Sequence, residues 1–188
     1  MNTTYNETLE NKDYSKTELT SEFENCIFIG CNFAEVNLTD IVFEECTFTN
    51  CNFTNAVIKH TAFKDVKFYD CKLMGLHFAN ANPFLLEFRF QNCHLDYASF
   101  YQLKLAKTEY IHCSLKEVDF VEADLSQSIF KNCDLYGATF QYATLEKADF
   151  SSAKNYNIDP ELNKMKGAKF SVLGLAGLLD KHSLDIKS

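Results

Sequence analysis

The sequence has no tryptophan, only two prolines and no excess of positive charge. Its 18 lysines and arginines stand against 26 aspartates and glutamates, a formal net charge of −8 over 188 residues. That balance argues against binding nucleic acid through its phosphates, which needs a basic surface. No apolar run approaches the ~20 residues of a membrane-spanning helix, so no membrane insertion is expected. Residues 1–20 lack the apolar core of a secretory signal, and a cytoplasmic location, where thiols stay reduced, is the expectation. Catalytic signatures are missing as well: there is no G-x-S-x-G, phosphate-binding loop, G-x-G-x-x-G or H-E-x-x-H. The histidines, His60, His77, His94, His112 and His182, have no outward-facing carboxylate or cysteine partner at a useful spacing. No catalytic residue, metal or cofactor is expected.

What the chain does have is phenylalanine, 18 of them, and eight cysteines. The stretch "EECTFTNCNFTNAVI" (44–58) places Cys46 and Cys51 five apart, with Phe48 and Phe53 five apart beside them. Metal and redox cysteines usually come as C-x-x-C, and a step of five matches neither a helix nor a strand. Stepping by five from Phe23 gives large apolar residues at all twelve positions through Phe78. After a slip of two the series resumes at Leu85 and runs through Phe150. That makes 26 units, with 15 of the 18 phenylalanines at their centres. Two residues before each centre runs a column of mostly small side chains, which holds every cysteine. Gly30, Gly75 and Gly137 sit two residues after a centre, a natural turn position.

Units such as "ADLSQ", "CDLYG", "ATFQY" and "ADFSS" resemble the pentapeptide-repeat family, whose pattern is a small residue, a polar residue, Leu or Phe, then two polar residues. The resemblance covers residues 21–153. It implies an all-β solenoid, a right-handed four-sided β-helix with one pentapeptide per side, centres and small residues inward. Residues 20 apart then stack. Cys31, Cys51 and Cys71 obey this, as do Cys93, Cys113 and Cys133, and the gap of 22 between the sets is 20 plus the slip. Rungs ~4.8 Å apart would permit disulfides. Ala, Thr and Ser occupy equivalent positions, however, so the column reads as reduced thiols filling volume.

Three departures from the repeat bound the organisation. Residues 1–20 are polar, a flexible segment or thin cap. The slip, near residues 79–84 in "FANANPFLLEFRF", puts Pro83 at a small-residue position, Phe84 outward and Phe88 in a tight corner. It is open as a structural bulge or as an aromatic contact for a partner, with Pro83 and Phe84 the candidates. Residues 154–188 change character. "NIDPELNKMKGAKF" reads as a short helix, with Asp159 as N-cap, Pro160 at its first position and Gly167 past its end. "SVLGLAGLLDKH" reads as a second helix, apolar all round and therefore to be buried on most sides. One side can cover the last coil and the other meet a second subunit, with Phe170, Val172, Leu173, Leu175, Leu178 and Leu179 the interface candidates.

The tail resembles the C-terminal module through which the Qnr, McbG and albicidin-immunity branch of the family dimerises end to end. This resemblance implies an end-to-end homodimer that engages a type II topoisomerase, DNA gyrase or topoisomerase IV, protects it from a quinolone or peptide toxin, and partly imitates DNA. Acidic clusters are the candidate contacts: Glu22, Glu24, Glu44, Glu45 and Asp65 on one face, then Asp96, Glu117, Asp119, Glu122 and Asp134 on two adjoining faces. A solenoid of about 6.5 coils, ~31 Å, compares with ~18 charges on duplex DNA of that length, so shape must do most of the matching. The chain lacks the longer projecting loops of the plasmid-borne Qnr pattern, which favours self-immunity of the McbG or albicidin type. The alternative reading is a structural or interaction solenoid with an unrelated partner.

Overall fold

The computed structural model describes residues 3–17 and 19–185; residues 1, 2, 18 and 186–188, at or near the chain ends, lie outside them. The chain winds as a four-sided parallel solenoid. On the first face, β1 (Thr3–Tyr5), β3 (Glu22–Glu24), β5 (Val42–Glu44) and β7 (Ala62–Lys64) stack as a four-stranded sheet. On the second face, β2 (Thr8–Glu10), β4 (Ile27–Ile29), β6 (Thr47–Thr49), β8 (Val66–Tyr69), β9 (Phe88–Gln91), β10 (Glu109–Ile111), β11 (Ile129–Lys131), β12 (Asp149–Phe150) and β13 (Lys169–Phe170) form a nine-stranded sheet. Its eight intervals make the solenoid about 38 Å long. Tighter turns build the third and fourth faces, joined by parallel single bridges such as Asn32 to Asn52 and Ser99 to Asp119.

A three-residue strand puts its middle side chain on one side and its neighbours on the other. That is why the centres fill the interior. Within a face the rings stack in parallel, as Phe33 on Phe53 (centroids 4.4 Å, 11°) and Phe130 on Phe150 (4.6 Å, 7°). Across a corner they meet edge to face, as Phe28 and Phe33 do (5.6 Å, 68°), the two arrangements that ring quadrupoles favour. At nearly every corner the residue two past the centre has a left-handed backbone, with Asn, Asp and Glu prominent among them. Asn and Asp tolerate this conformation best after glycine.

All eight cysteines are buried and free. Most thiols donate to a main-chain carbonyl of the coil before, for example Cys31 Sγ to Leu9 O (3.2 Å) and Cys133 Sγ to Tyr110 O (3.3 Å). Burial pushes the Cys46 thiol up to about 12, far from thiolate chemistry at neutral pH.

Both ends of the solenoid reach beyond residues 21–153. Thr4, Leu9, Tyr14 and Leu19 already step by five. Leu9 and Tyr14 are buried, and Leu9 sits in register with Phe28. The polar N-terminal segment is therefore a first coil, one residue shorter than the rest.

At the other end, the helix expected over 159–167 is not there. Lys164 bridges to Thr144, Met165 and Phe170 pack on the core, and β13 pairs with β12. Asp159 caps a turn rather than a helix, its carboxylate accepting from the Glu161 N–H (2.8 Å), and Gly167 (φ +74°) takes the left-handed corner. The repeat's five-residue step dominates the local helix signals because it packs Met165 and Phe170, each half-buried, against the core.

The second expected helix is two short 3-10 runs, Val172–Leu178 and Asp180–His182. Tyr156 and Ile158 fill the last coil beneath them.

The bulge also differs from expectation. Leu85 does not resume the inward series. It is 62% exposed, with a left-handed backbone (φ 56°). Phe88, in register with Val66 and ringed by Phe63, Phe68, Phe78 and Phe90, fills the interior instead, and Leu86 packs beside the core. The extra residues let the large Phe88 occupy a corner that a small side chain holds elsewhere.

Candidate interaction surfaces

Three surfaces carry the candidate residues. The first is the bulge. Pro83 and Phe84 project from the first face, Phe84 67% exposed, with its N–H held by the Asn82 side-chain oxygen (3.0 Å). Beside them lies a cavity of about 460 Å³ lined by Pro83, Phe84, Leu86, Gln102, Leu103 and Lys104.

The second surface is the set of carboxylates, which the structure divides into two kinds. Asp119 accepts from Val121 N–H (2.9 Å) and Ser99 Oγ (3.2 Å), and Asp96 from Ser114 Oγ (2.5 Å) and Lys116 N–H (2.9 Å). Asp134 accepts from Asn155 Nδ2 (2.7 Å) and lies 3.6 Å from Lys116 Nζ. Desolvation works against its charge, but these partners hold its carboxyl below the usual range. Glu122 takes hydrogen bonds from Gln102 Nε2 (2.8 Å) and Tyr101 OH (3.4 Å), and Glu117 lies over Gly137, where a Cβ would meet its carboxylate at 2.5 Å. The carboxylates on the third and fourth faces thus mostly serve the ladder. The first-face set is freer. Glu24 and Glu45 have no side-chain partner among the described residues, Glu22 accepts only from Thr3 Oγ1 (3.0 Å), and Asp65 faces Lys67 at 3.6 Å. Glu44 alone is closely paired, with Lys64 Nζ at 2.7 Å. Register stacks Glu24, Glu44 and Lys64 directly.

The first face then changes sign across the bulge. Lys104, Asp124, Thr144 and Lys164 form its bridge ladder in the second half. Lys166, on the outer side of the same face, and Lys107 and Lys147, at its corner, add to them. Five acids against one base in the first half become five lysines against Glu87, Asp124 and Glu146 from the bulge onward. None of Lys104, Lys107, Lys147, Lys164 and Lys166 makes an ion pair among the described residues. Sequence reasoning gathered the acids and missed these lysines. The 20-residue step from 104 to 164 points to them, but reading 159–167 as a helix removed the last two from the face.

The third surface is the C-terminal end. Gly174 and Gly177 lie against Tyr156, and Ile158 N–H donates to Gly177 O (2.9 Å). Lys181 Nζ reaches Asp159 (2.8 Å) and Glu161 (2.6 Å) and pins the segment. Phe170 and Leu178 pack on the protein's own core, whereas Val172 (83%), Leu173 (97%), Leu175 and Leu179 are exposed. Among the described residues no group of His, Cys, Asp and Glu is placed to hold a metal, and no helix is long and apolar enough to cross a membrane.

The sequence model described as "Pentapeptide repeat region" matches residues 21–100 and 103–178. No curated protein sequence matches the chain. Among solved structures, a trypsin-treated form of QnrB1, a plasmid-mediated fluoroquinolone resistance protein, superposes with a TM-score of 0.61 at 20% identity, covering 100% of this chain and 92% of that one. HetL of Nostoc sp. strain PCC 7120, a pentapeptide-repeat protein involved in heterocyst differentiation regulation, gives 0.51 at 15%, covering 89% and 85%. Both likenesses concern the fold.

Proposed function

Because the chain belongs to the pentapeptide-repeat family, we propose that it is a non-catalytic, cytoplasmic rod that binds a type II topoisomerase, chiefly DNA gyrase, and protects it from a quinolone or a peptide toxin. The observation that carries this reading is the C-terminal end. Val172 and Leu173 stand in solvent on a segment clamped to the solenoid by its glycines. Apolar side chains so presented on a soluble rod's end mark an interaction site. A two-fold copy covers them and yields a rod of about 76 Å of solenoid, long enough to lie along a groove built for a duplex. The shared fold with QnrB1, a fluoroquinolone resistance protein, supports the same reading.

Charge mimicry is limited in this reading. Duplex DNA over the ~38 Å of one solenoid carries ~22 charges, against a formal net −8 here. The loosely held carboxylates Glu22, Glu24, Glu45 and Asp65 confine the DNA-like potential to the first half of one face. The five lysines beyond the bulge, without an ion pair among the described residues, favour a second reading, an interaction solenoid whose partner is unrelated to topoisomerases. Surface-immobilised cognate gyrase decides between them: micromolar binding that weakens with salt supports the first, and absence of binding to gyrase and to topoisomerase IV supports the second.

A further inference from the structure

We propose that the second half of the fourth face is a docking surface for an arginine-bearing segment of a partner protein. Five of the nine tyrosines are exposed, and four of these, Tyr97, Tyr101, Tyr136 and Tyr142, gather around this one face, each between 38% and 66% exposed. The bridge ladder of Ser99, Asp119 and Thr139 runs along the face. Main-chain hydrogen bonds between coils stack its two corners, Tyr97 with Glu117 and Gly137 on one side, Gln102 with Glu122 and Tyr142 on the other. Tyr101 lies beside Gln102, and Tyr136 stands next to Gly137, just across its corner. Rings exposed together mark a contact surface, because tyrosine offers a large apolar face and a polar tip at low entropic cost.

The charge of the face selects the ligand. Glu117, Asp119 and Glu122 lie on it, and Asp159 and Glu161 follow at its end, where Lys181 pairs with both. Its outward positions from the coil of Tyr97 to that of Tyr142 hold no lysine or arginine. Lys116, beside one corner, turns to Asp134 on the third face (3.6 Å), and Lys104 lies past the other corner, on the first. The face is net negative where the tyrosines stand, and a cationic side chain complements it. Next to Gly137 opens a hollow of about 230 Å³, lined by Gly137, Thr139, Gln141, Asn157, Asp159 and Leu162. Glu117 lies over Gly137 and has no side-chain partner among the described residues. Asn157 commits its Nδ2 to Asp180 (2.6 Å), so its oxygen is the end left to accept. A guanidinium in this hollow is offered the Glu117 carboxylate and the side-chain oxygens of Thr139, Gln141 and Asn157. Arginine suits such a site better than lysine, because its planar fork takes two acceptors at once and stacks on aromatic rings.

From the coil of Tyr97 to that of Asn157 the axis advances by about 14 Å. Four extended residues cover that length, and their alternate side chains meet the surface ~7 Å apart. Two arginines separated by one residue thus reach two places. One lies among Tyr97, Tyr101 and Glu122, the other at Glu117 and the hollow. Glu122 already accepts from Tyr101 OH (3.4 Å) and Gln102 Nε2 (2.8 Å), which fixes the first place in advance. Asp119 is committed to Val121 N–H and Ser99 Oγ and takes no part. The surface is separate from the first face and from the exposed leucines of the C-terminal end, so it stands or falls independently of topoisomerase binding.

Fluorescence anisotropy of a labelled Gly-Arg-Gly-Arg-Gly peptide with the full-length chain tests this, beside peptides carrying lysine or citrulline in place of arginine. At about 0.15 M salt the arginine peptide should bind with a dissociation constant below about 1 mM. The lysine peptide should bind at least about fivefold more weakly, and the uncharged citrulline peptide should not bind in that range. Tyr97→Asn with Tyr142→Asn, at left-handed corners that asparagine accepts (φ 62° and 61°), should lower affinity at least about fivefold. Tyr97→Phe with Tyr142→Phe keeps the rings and should stay within about twofold of wild type. Glu117→Gln should weaken binding, whereas Tyr5→Asn, exposed on the first coil, should not. No binding up to about 1 mM overturns the proposal. So does equal binding of the lysine and arginine peptides, or an affinity unmoved by the asparagine pair.

Discussion

Gly177 rests on the backbone carbonyl of Tyr156, leaving no room for a Cβ, and its own carbonyl accepts the Ile158 N–H at 2.9 Å. The terminal segment is therefore held by backbone, with Val172, Leu173, Leu175 and Leu179 turned outward and Leu178 on the core. Gly177→Ala should lift the segment from the last coil. Limited proteolysis should then cut after residue 170 at a rate several-fold above wild type, with the solenoid intact by circular dichroism. Unchanged cleavage would mean that the segment is held by Lys181 and its two carboxylates instead.

Tyr110 supplies a second test. Its ring lies between Phe90 (5.4 Å) and Phe130 (4.9 Å), while its hydroxyl is buried with no partner among the described residues. A hydroxyl so placed costs about 1 kcal/mol or more in lost hydration. Tyr110→Phe should raise Tm by about 2–4 °C. A lower Tm would show that the hydroxyl has a bound water or other partner.

The thiols set a pH limit. Burial pushes Cys46 up to about 12; the hydrogen bond to Cys113 together with burial does so for Cys93, and that to Cys133 together with burial for Cys113. A group whose pKa is raised by folding contributes stability that is complete below its unfolded value and lost as pH climbs toward the folded one. Stability from denaturant titration should hold to pH about 9 and then fall toward pH about 12, by up to about 1.4 kcal/mol per pH unit for a single such thiol. A thiol reagent at neutral pH should find none of the eight cysteines until denaturant is added.

Carboxylates should separate by role. Asp119→Ala removes the acceptor for Val121 N–H and should cost about 1 kcal/mol of stability with gyrase binding unchanged. Glu22→Gln, Glu24→Gln, Glu45→Gln and Asp65→Asn together, near-isosteric changes at half-buried and exposed positions, should leave Tm within about 2 °C and weaken binding. The opposite assignment of effects would remove the first face from the account of partner binding.

The solenoid was legible because its signal is redundant. Twenty-five of the twenty-six centres, and a column of small residues, report one geometry, and the 22-residue cysteine gap brackets the slip that the register puts between Asn82 and Phe88. What sequence reasoning lost lay where the five-residue step carries weaker side chains. Thr4, Leu9, Tyr14 and Leu19 keep the step but lack phenylalanine, so a full coil passed for a polar tail. Met165 and Phe170 keep it too, yet Asp159, Pro160 and Gly167 imitate helix punctuation, since a turn and a helix end use the same residues for the same backbone angles. At the bulge, counting gave Leu85 an inward place because periodicity cannot tell which of two inserted residues is pushed out. The carboxylates look alike in sequence, and their division into ladder and surface depends on hydrogen bonds that only the folded coil defines.

The most direct test of the central claim is a gyrase DNA-cleavage assay with a fluoroquinolone, titrating wild type beside the Leu173→Glu, Leu175→Glu double variant. Wild type should lower the cleaved fraction and restore supercoiling, while the double variant, monomeric at its C-terminal end by light scattering, should lose most of that protection. Cleavage unchanged by micromolar wild-type protein with its cognate gyrase, repeated with a gyrase-targeting peptide toxin to the same effect, would contradict topoisomerase protection.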